Sequence, residues 1–172
     1  VTLDDKALIE TDAETAAPLA SVFKLYVLDA VAEAVRGGTL SWTDTVVVTD
    51  DARSLPTGEL QDLPTGTEVP VREAAQKMIE ISDNTATDLL IQKVGRDAVE
   101  SAVGRLDVAD PEGLRPFPTT REAFALLWGG HDALVEQWST GDEPAKRAVL
   151  EALKTEPFDI TVSADNAPPP PP

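Results

Sequence analysis

Ser21-Val22-Phe23-Lys24-Leu25-Tyr26-Val27-Leu28-Asp29-Ala30-Val31-Ala32-Glu33-Ala34-Val35-Arg36 is followed by Gly37-Gly38. The stretch is apolar nearly all round, which predicts a buried helix over 21–36 rather than a surface one. Ser21 stands where an N-cap belongs, and the glycine pair supplies C-terminal stop chemistry. On such a helix Ser21 and Lys24 share a face one turn apart. A lone lysine inside so apolar a segment needs a reason to be there.

A second polar constellation, Ser82-Asp83-Asn84, lies far downstream. Between the two, Thr45-Val46-Val47-Val48-Thr49 reads as a short strand or extended loop, and 50–70 as loop carrying Pro56, Gly58, Pro64, Gly66 and Pro70. Pro70 starts a helix with the stripe Ala74, Ala75, Met78, Ile79, which stops near Ser82. Further helices are expected over Thr85–Val94 (ended by Gly95), from a cap at Asp97 to about Val103 (ended by Gly104), and from Thr119 or Thr120 to Trp128. Residues 131–138 and 143–154 also read as helical. Ala7-Leu8-Ile9 is a candidate strand, and residues 105–118 form a loop. Residues 1–18 then read as a remnant of an N-terminal strand region, 19–156 as a helical domain, and 157–172 as a Pro-rich linker or truncated C-terminal region.

The chain has 172 residues, 42% of them hydrophobic and 26% charged, which suits one globular domain. No run approaches the ~18 apolar residues that a membrane span needs, and no signal peptide opens the sequence. Net charge is −17, which disfavours nucleic acid and anionic lipid as partners. With no cysteine, disulfides, thiolate catalysis and Cys–zinc sites are excluded. The single His131 has no companion for a metal site, and no cofactor is expected.

Serine hydroxyls are poor nucleophiles without an adjacent base. Lys24 can serve Ser21 if its pKa is depressed by burial, by the helix dipole or by a nearby cation. The Ser21 N–H at a helix start can donate to a developing oxyanion. Ser82 can pass the proton to a leaving nitrogen, and Asn84 offers a donor and an acceptor to a substrate amide.

Pro18-Leu19-Ala20-Ser21-Val22-Phe23-Lys24-Leu25-Tyr26-Val27 resembles the nucleophile helix of the serine β-lactamase and penicillin-binding-protein superfamily, in its class A-like branch. Val71-Arg72-Glu73-Ala74-Ala75 leading to Ile81-Ser82-Asp83-Asn84-Thr85-Ala86 is similar to that branch's second motif. Pro118-Thr119-Thr120-Arg121-Glu122-Ala123 resembles the start of the helix after its Ω-loop. The run over about 18–160 resembles actinobacterial β-lactamase-like hydrolases related to the esterase-type protein of clavulanic acid biosynthesis.

That resemblance implies an α+β fold, mostly α over this chain: the helical domain of a β-lactamase/transpeptidase-like fold with its sheet domain incomplete. It implies that Ser21 is acylated, Lys24 is its base, Ser82 relays the proton, Asn84 holds the substrate amide and Asp83 braces the loop. Residues 53–57 match the active-site rim, which would let Leu55 line the pocket. Two departures stand out. The deacylating Glu-x-x-Leu-Asn is imitated only by Glu112 in Pro111-Glu112-Gly113-Leu114-Arg115, which lacks the Asn and does not complete the motif. No Lys-Thr-Gly or Lys-Ser-Gly occurs, since Lys154-Thr155 is followed by Glu156.

The expected activity is therefore hydrolysis through an acyl-serine, on β-lactam amides or related small esters. The alternatives are a D-alanyl-D-alanine carboxypeptidase (a penicillin-binding protein) and a non-catalytic envelope-binding domain. The same reading implies a secreted or cell-envelope protein, monomeric when complete, with a complementary C-terminal fragment as a further partner.

Overall fold

The computed structural model describes residues 2–3, 6–7, 19–54, 56–106, 108 and 110–156. Leu55 and the whole 157–172 segment lie outside them, as do Leu8 and Ile9 of the expected first strand. Among the described residues the fold is mostly helical, as expected. Strands β1 (Thr2–Leu3) and β2 (Lys6–Ala7) pair antiparallel, as do β3 (Thr45–Val47) and β4 (Glu68–Pro70), with Val46 opposite Val69.

The apolar stretch forms a helix, but not from Ser21. The chain enters through a 3-10 turn, Ala20–Phe23, and α1 proper is Lys24–Arg36 with Phe23 as its N-cap. Ser21 is therefore inside a tight turn and makes no cap. With three residues per turn, such a segment eclipses positions i and i+3, so the Ser21–Lys24 relation survives the change of helix type.

Helix α2 (Val71–Glu80) begins right after Pro70, whose fixed φ and missing N–H suit a helix edge. Helix α3 (Asn84–Val94) is capped by Asp83, whose side chain accepts from Ala86 N–H. Gly95, at φ +87°, breaks the chain between α3 and α4 (Arg96–Arg105). Contrary to expectation, Asp97 lies within α4's first turn and the helix runs through Gly104. Nothing within 4 Å would meet a Cβ at Gly104, and its backbone is free to stay helical at a modest propensity cost.

Fully buried Val27, Val31, Leu60, Met78, Leu90 and Val99 centre the main core, where α1 packs on α3 and α4, and α2 on α3. A smaller cluster of Ala125, Val149, Leu150 and Leu153 joins α5 (Thr120–Trp128) to α7 (Glu143–Leu153), with α6 (Asp132–Thr140) alongside.

The start of α5 shows how the two clusters are joined. A helix N-terminus leaves backbone donors without intrahelical partners. Here Thr119 N–H donates to Glu122 Oε2 at 2.7 Å and Glu122 N–H to Thr119 Oγ1 at 3.1 Å, a reciprocal capping box. Thr120 N–H and Arg121 N–H both donate to the Asp88 carboxyl on α3, at 2.7 and 2.9 Å. Glu122 also accepts both Arg96 Nη2 contacts, at 2.8 and 2.9 Å, from the start of α4. Glu122→Ala should therefore cost about 2–4 kcal/mol, because it removes the carboxylate partner of a half-buried guanidinium, which keeps only Phe117 C=O among the described residues, and leaves a backbone donor unpaired. Thr119→Ala should cost about 1 kcal/mol. Urea unfolding of both variants checks this, and equal losses would refute it.

Candidate active site

The 3-10 turn that carries Ser21 faces the turn between α2 and α3 that carries Ser82. Ser21 Oγ lies 2.9 Å from Ser82 Oγ. Lys24 Nζ lies 2.7 Å from three acceptors: Ser82 Oγ, Ser82 C=O and Asn84 Oδ1. The hydroxyl of Ser21 thus reaches the amine through Ser82, in a continuous chain of two hydrogen bonds.

Lys24 is 2% exposed, and its pKa is lowered to about 8. Burial dominates by disfavouring the ammonium. The carboxylates of Asp83 and Asp88 oppose it by raising the pKa. A neutral amine has one lone pair and two N–H groups. Ser82 C=O and Asn84 Oδ1 can only accept from it, so the lone pair falls on the one partner able to donate, the Ser82 hydroxyl. Ser82 Oγ is then left to accept from Ser21. With the amine neutral the chain runs one way, Ser21 to Ser82 to Lys24, whereas the ammonium donates to Ser82 Oγ.

Ser82 sits at φ +58°, a left-handed conformation uncommon for a residue with a side chain. Its carbonyl holds it there by accepting from Lys24 Nζ and from Thr57 Oγ1, each at 2.7 Å. Asp83, fully buried, accepts from Ala86 N–H at 2.8 Å, Glu59 N–H at 2.7 Å and Leu60 N–H at 3.0 Å. It thereby ties the 57–60 loop to the start of α3. Gly58, at φ +131°, is packed so closely on this carboxylate that a Cβ would collide with it.

Behind Asn84, one turn along α3, Asp88 accepts from Thr120 Oγ1 at 2.8 Å in addition to its two backbone donors. Thr120 Oγ1 also contacts Ser54 Oγ at 2.7 Å and Asn84 C=O at 3.3 Å. Burial raises the Asp88 carboxyl to about 7 in spite of these donors. Sequence reading missed Asp88, Thr120 and Ser54. The spacing of Asp88 four residues after Asn84 was the available signal.

Beside Ser21 opens a cavity of about 580 Å³, lined also by Ser82, Asn84, Thr57 and a long apolar wall. Glu112 is not brought to it. Its side chain is 73% exposed and lies 3.8 Å from Arg115, on a short 3-10 turn over Glu112–Leu114. The neighbours Gly113 and Leu114 reach the cavity and Glu112 does not, because successive residues of such a turn point about a third of a circle apart. The position of Leu55 relative to the cavity falls outside the described residues. The described residues hold no cluster of metal-ligating side chains, and none of their helices is long and apolar enough to cross a membrane.

Comparison with curated proteins finds no match. Among solved structures, a β-lactamase from Sphaerobacter thermophilus DSM 20745 is 30% identical over 80% of this chain and 54% of that one, with a TM-score of 0.48. A mutant of PBP-A solved as an acyl-enzyme complex with penicillin-G is 23% identical over 88% of this chain and 58% of that one, with a TM-score of 0.56. Another PBP-A structure is 23% identical over 78% and 52%, with a TM-score of 0.49. The chain thus spans little more than half the length of each, and the second shares its fold. The family model described as "Beta-lactamase enzyme family" matches residues 1–130, a stretch that includes the Ser21 turn, Lys24 and the Ser82 turn. On that match the chain belongs to the β-lactamase enzyme family.

Proposed function

We propose that this site performs acyl transfer through Ser21, as a serine hydrolase acting on β-lactam amides or related small esters. One observation carries the reading: a buried amine wired to an exposed serine hydroxyl through a second hydroxyl. In the first step neutral Lys24 takes the Ser82 proton while Ser82 takes the Ser21 proton. Ser21 Oγ then bonds the substrate carbonyl carbon. The first backbone bond of the 3-10 turn is Val22 N–H to Leu19 C=O, so the Ser21 N–H lies ahead of the helical bonding and serves as an oxyanion donor. As the intermediate collapses, the proton returns from Lys24 through Ser82 to the leaving nitrogen or oxygen. Asn84 is assigned the substrate's amide side chain, and Asp83 the bracing of the loop.

A second reading concerns the fate of the acyl group. No carboxylate lines the cavity among the described residues. Among these residues the acyl-serine has no adjacent carboxylate to serve as a base toward water, which favours slow deacylation and a penicillin-binding behaviour over rapid turnover.

Three outcomes test this. Incubation with a penicillin or an activated ester should add one acyl mass to the Ser21 peptide, and Ser21→Ala should abolish it; label retained in that variant would refute the assignment. The acylation rate should climb about tenfold per pH unit up to about 8 and then level, because only the neutral amine accepts a proton. A flat profile from pH 6 to 9 would remove Lys24 as base. Ser82→Gly and Ser82→Ala should both slow acylation by about 10²-fold or more. Of the two, Ser82→Gly should be the more stable by about 1 kcal/mol, since glycine tolerates the left-handed backbone.

A further inference from the structure

The cavity beside Ser21 is divided by chemistry. Its polar lining consists of Ser21, Thr57, Ser82, Asn84, Thr119 and Thr120. Five of these belong to the relay or bond directly to its backbone: Thr57 to Ser82 C=O, Thr120 Oγ1 to Asn84 C=O, and the other three in the chain itself. The larger part of the remaining lining is apolar or aromatic, from Phe23, Leu114, Phe117, Phe124, Leu127 and Trp138, with Phe23 next to the relay. No charged side chain is among the described lining residues.

The aromatic walls are held in place. Phe124 stacks on Trp128 at 4.8 Å between centroids, and Phe117 meets Phe23 at 5.9 Å and Tyr26 edge-on at 6.4 Å. Phe117 N–H is fixed by Glu100 at 3.0 Å, and Lys146 lies over the Trp138 ring at 5.7 Å. The cavity is therefore preformed, and its volume falls within the range of small-molecule sites. Leu127, 61% exposed, stands at its rim, where an apolar side chain gains most from covering a ligand.

We propose that this cavity is an acyl site, and that the substrate is an ester of an uncharged hydrocarbon acid, with its carbonyl at Ser21 and its chain along the Phe23–Phe124–Trp138 wall. The assignment rests on Ser21 being the nucleophile. A carboxylate or ammonium on this part of the substrate would lose its water against apolar side chains, and the nearest cations, Lys24 at 5.8 Å from the Phe23 ring and Lys146 at 5.7 Å from the Trp138 ring, are not among the lining residues. A methylene group would instead gain about fourfold in binding. In the reaction the Ser21 Oγ–carbonyl bond forms, the ester C–O bond breaks, and the alcohol leaves with the proton that passed from Ser21 through Ser82 to Lys24. Water later releases the uncharged-chain acid and restores the serine.

The test uses p-nitrophenyl acetate, butyrate and octanoate, with nitrophenol release and acyl mass on Ser21 as readouts. The second-order acylation rate should rise at least tenfold from acetate to octanoate. Leu127→Asp, a substitution at an exposed position, should bring the octanoate-to-acetate ratio toward one. A parallel titration of the Ser21→Ala protein with octanamide and acetamide, read by tryptophan fluorescence, needs no chemistry. Octanamide should bind at least tenfold more tightly. Labelling of Ser21 without chain-length dependence, together with equal affinity for the two amides, would overturn the acyl site and leave the nucleophile standing. Absence of labelling by every ester, with octanamide still preferred, would overturn the nucleophile and with it the ester assignment.

Discussion

Burying the amine of Lys24 is the demand from which most of the site's geometry follows. An ammonium at 2% exposure must find acceptors or lose its proton. All three acceptors come from one short turn, as Ser82 C=O, Ser82 Oγ and Asn84 Oδ1. Ser82, whose carbonyl and hydroxyl both face this nitrogen, adopts φ +58°. Thr57 also bonds that carbonyl, and Asp83, immediately after it, caps α3. Asp83 then recruits the Glu59 and Leu60 amides, and Gly58 makes room for its carboxylate. The loop, the cap and the left-handed serine are linked by hydrogen bonds around one buried amine.

The electrostatics are a balance rather than a simple depression. Burial alone would push Lys24 further from its ordinary 10.5, while the negative charges of Asp83 and Asp88 pull it back, and the result lies near 8. An amine poised there is partly neutral at neutral pH and still basic enough to hold a proton in transit. Asp88 has a second task in the same position. It holds the start of α5 by taking the Thr120 and Arg121 amides, so the helix that walls the cavity with Ala123, Phe124 and Leu127 is pinned to the helix that begins at the relay. The Asp88 carboxyl thus helps to hold α5 on α3, together with Thr120 Oγ1 on Asn84 C=O and Ser54 Oγ.

How legible this was depends on the range of each interaction. Helical periodicity and capping chemistry are local, and they placed α2, α3 and α5 to α7 within a residue or two; the capping box at Thr119 and Glu122 is written in four consecutive positions. Ser21 was misread as a cap because Ser is favoured there and nothing local distinguishes a 3-10 entry from an α start. Gly104 was misread as a stop because glycine ends a helix only where the following chain departs, and here Gly95 carries the positive φ. The Ser21, Lys24 and Ser82 constellation was found through paired motifs. Asp88, Ser54 and Thr120 were not, since each is ordinary in its own neighbourhood and becomes special only when α3, α5 and the 50–57 loop pack together. Glu112 is the nearest imitation that the resemblance offers of a deacylating acid and reads otherwise as a surface-loop acid, and the 3-10 turn over Glu112–Leu114 leaves it exposed.

The same division explains why forming and releasing an acyl group are separable problems in the proposed reaction. Acylation needs a base that touches the nucleophile, and the Ser82 hydroxyl provides that link. Once Ser21 is acylated its oxygen can no longer donate, and the link to Lys24 ends at Ser82. Water would have to enter beside Ser82 and hand its proton to the same amine, in competition with hydrocarbon that fills the adjoining wall. An apolar acyl group that binds well therefore also shields its own ester from hydrolysis. The features that favour capture of a hydrophobic acyl chain are those that prolong its stay, and the lifetime of the acyl-serine is set by how much of the cavity the chain leaves open to water.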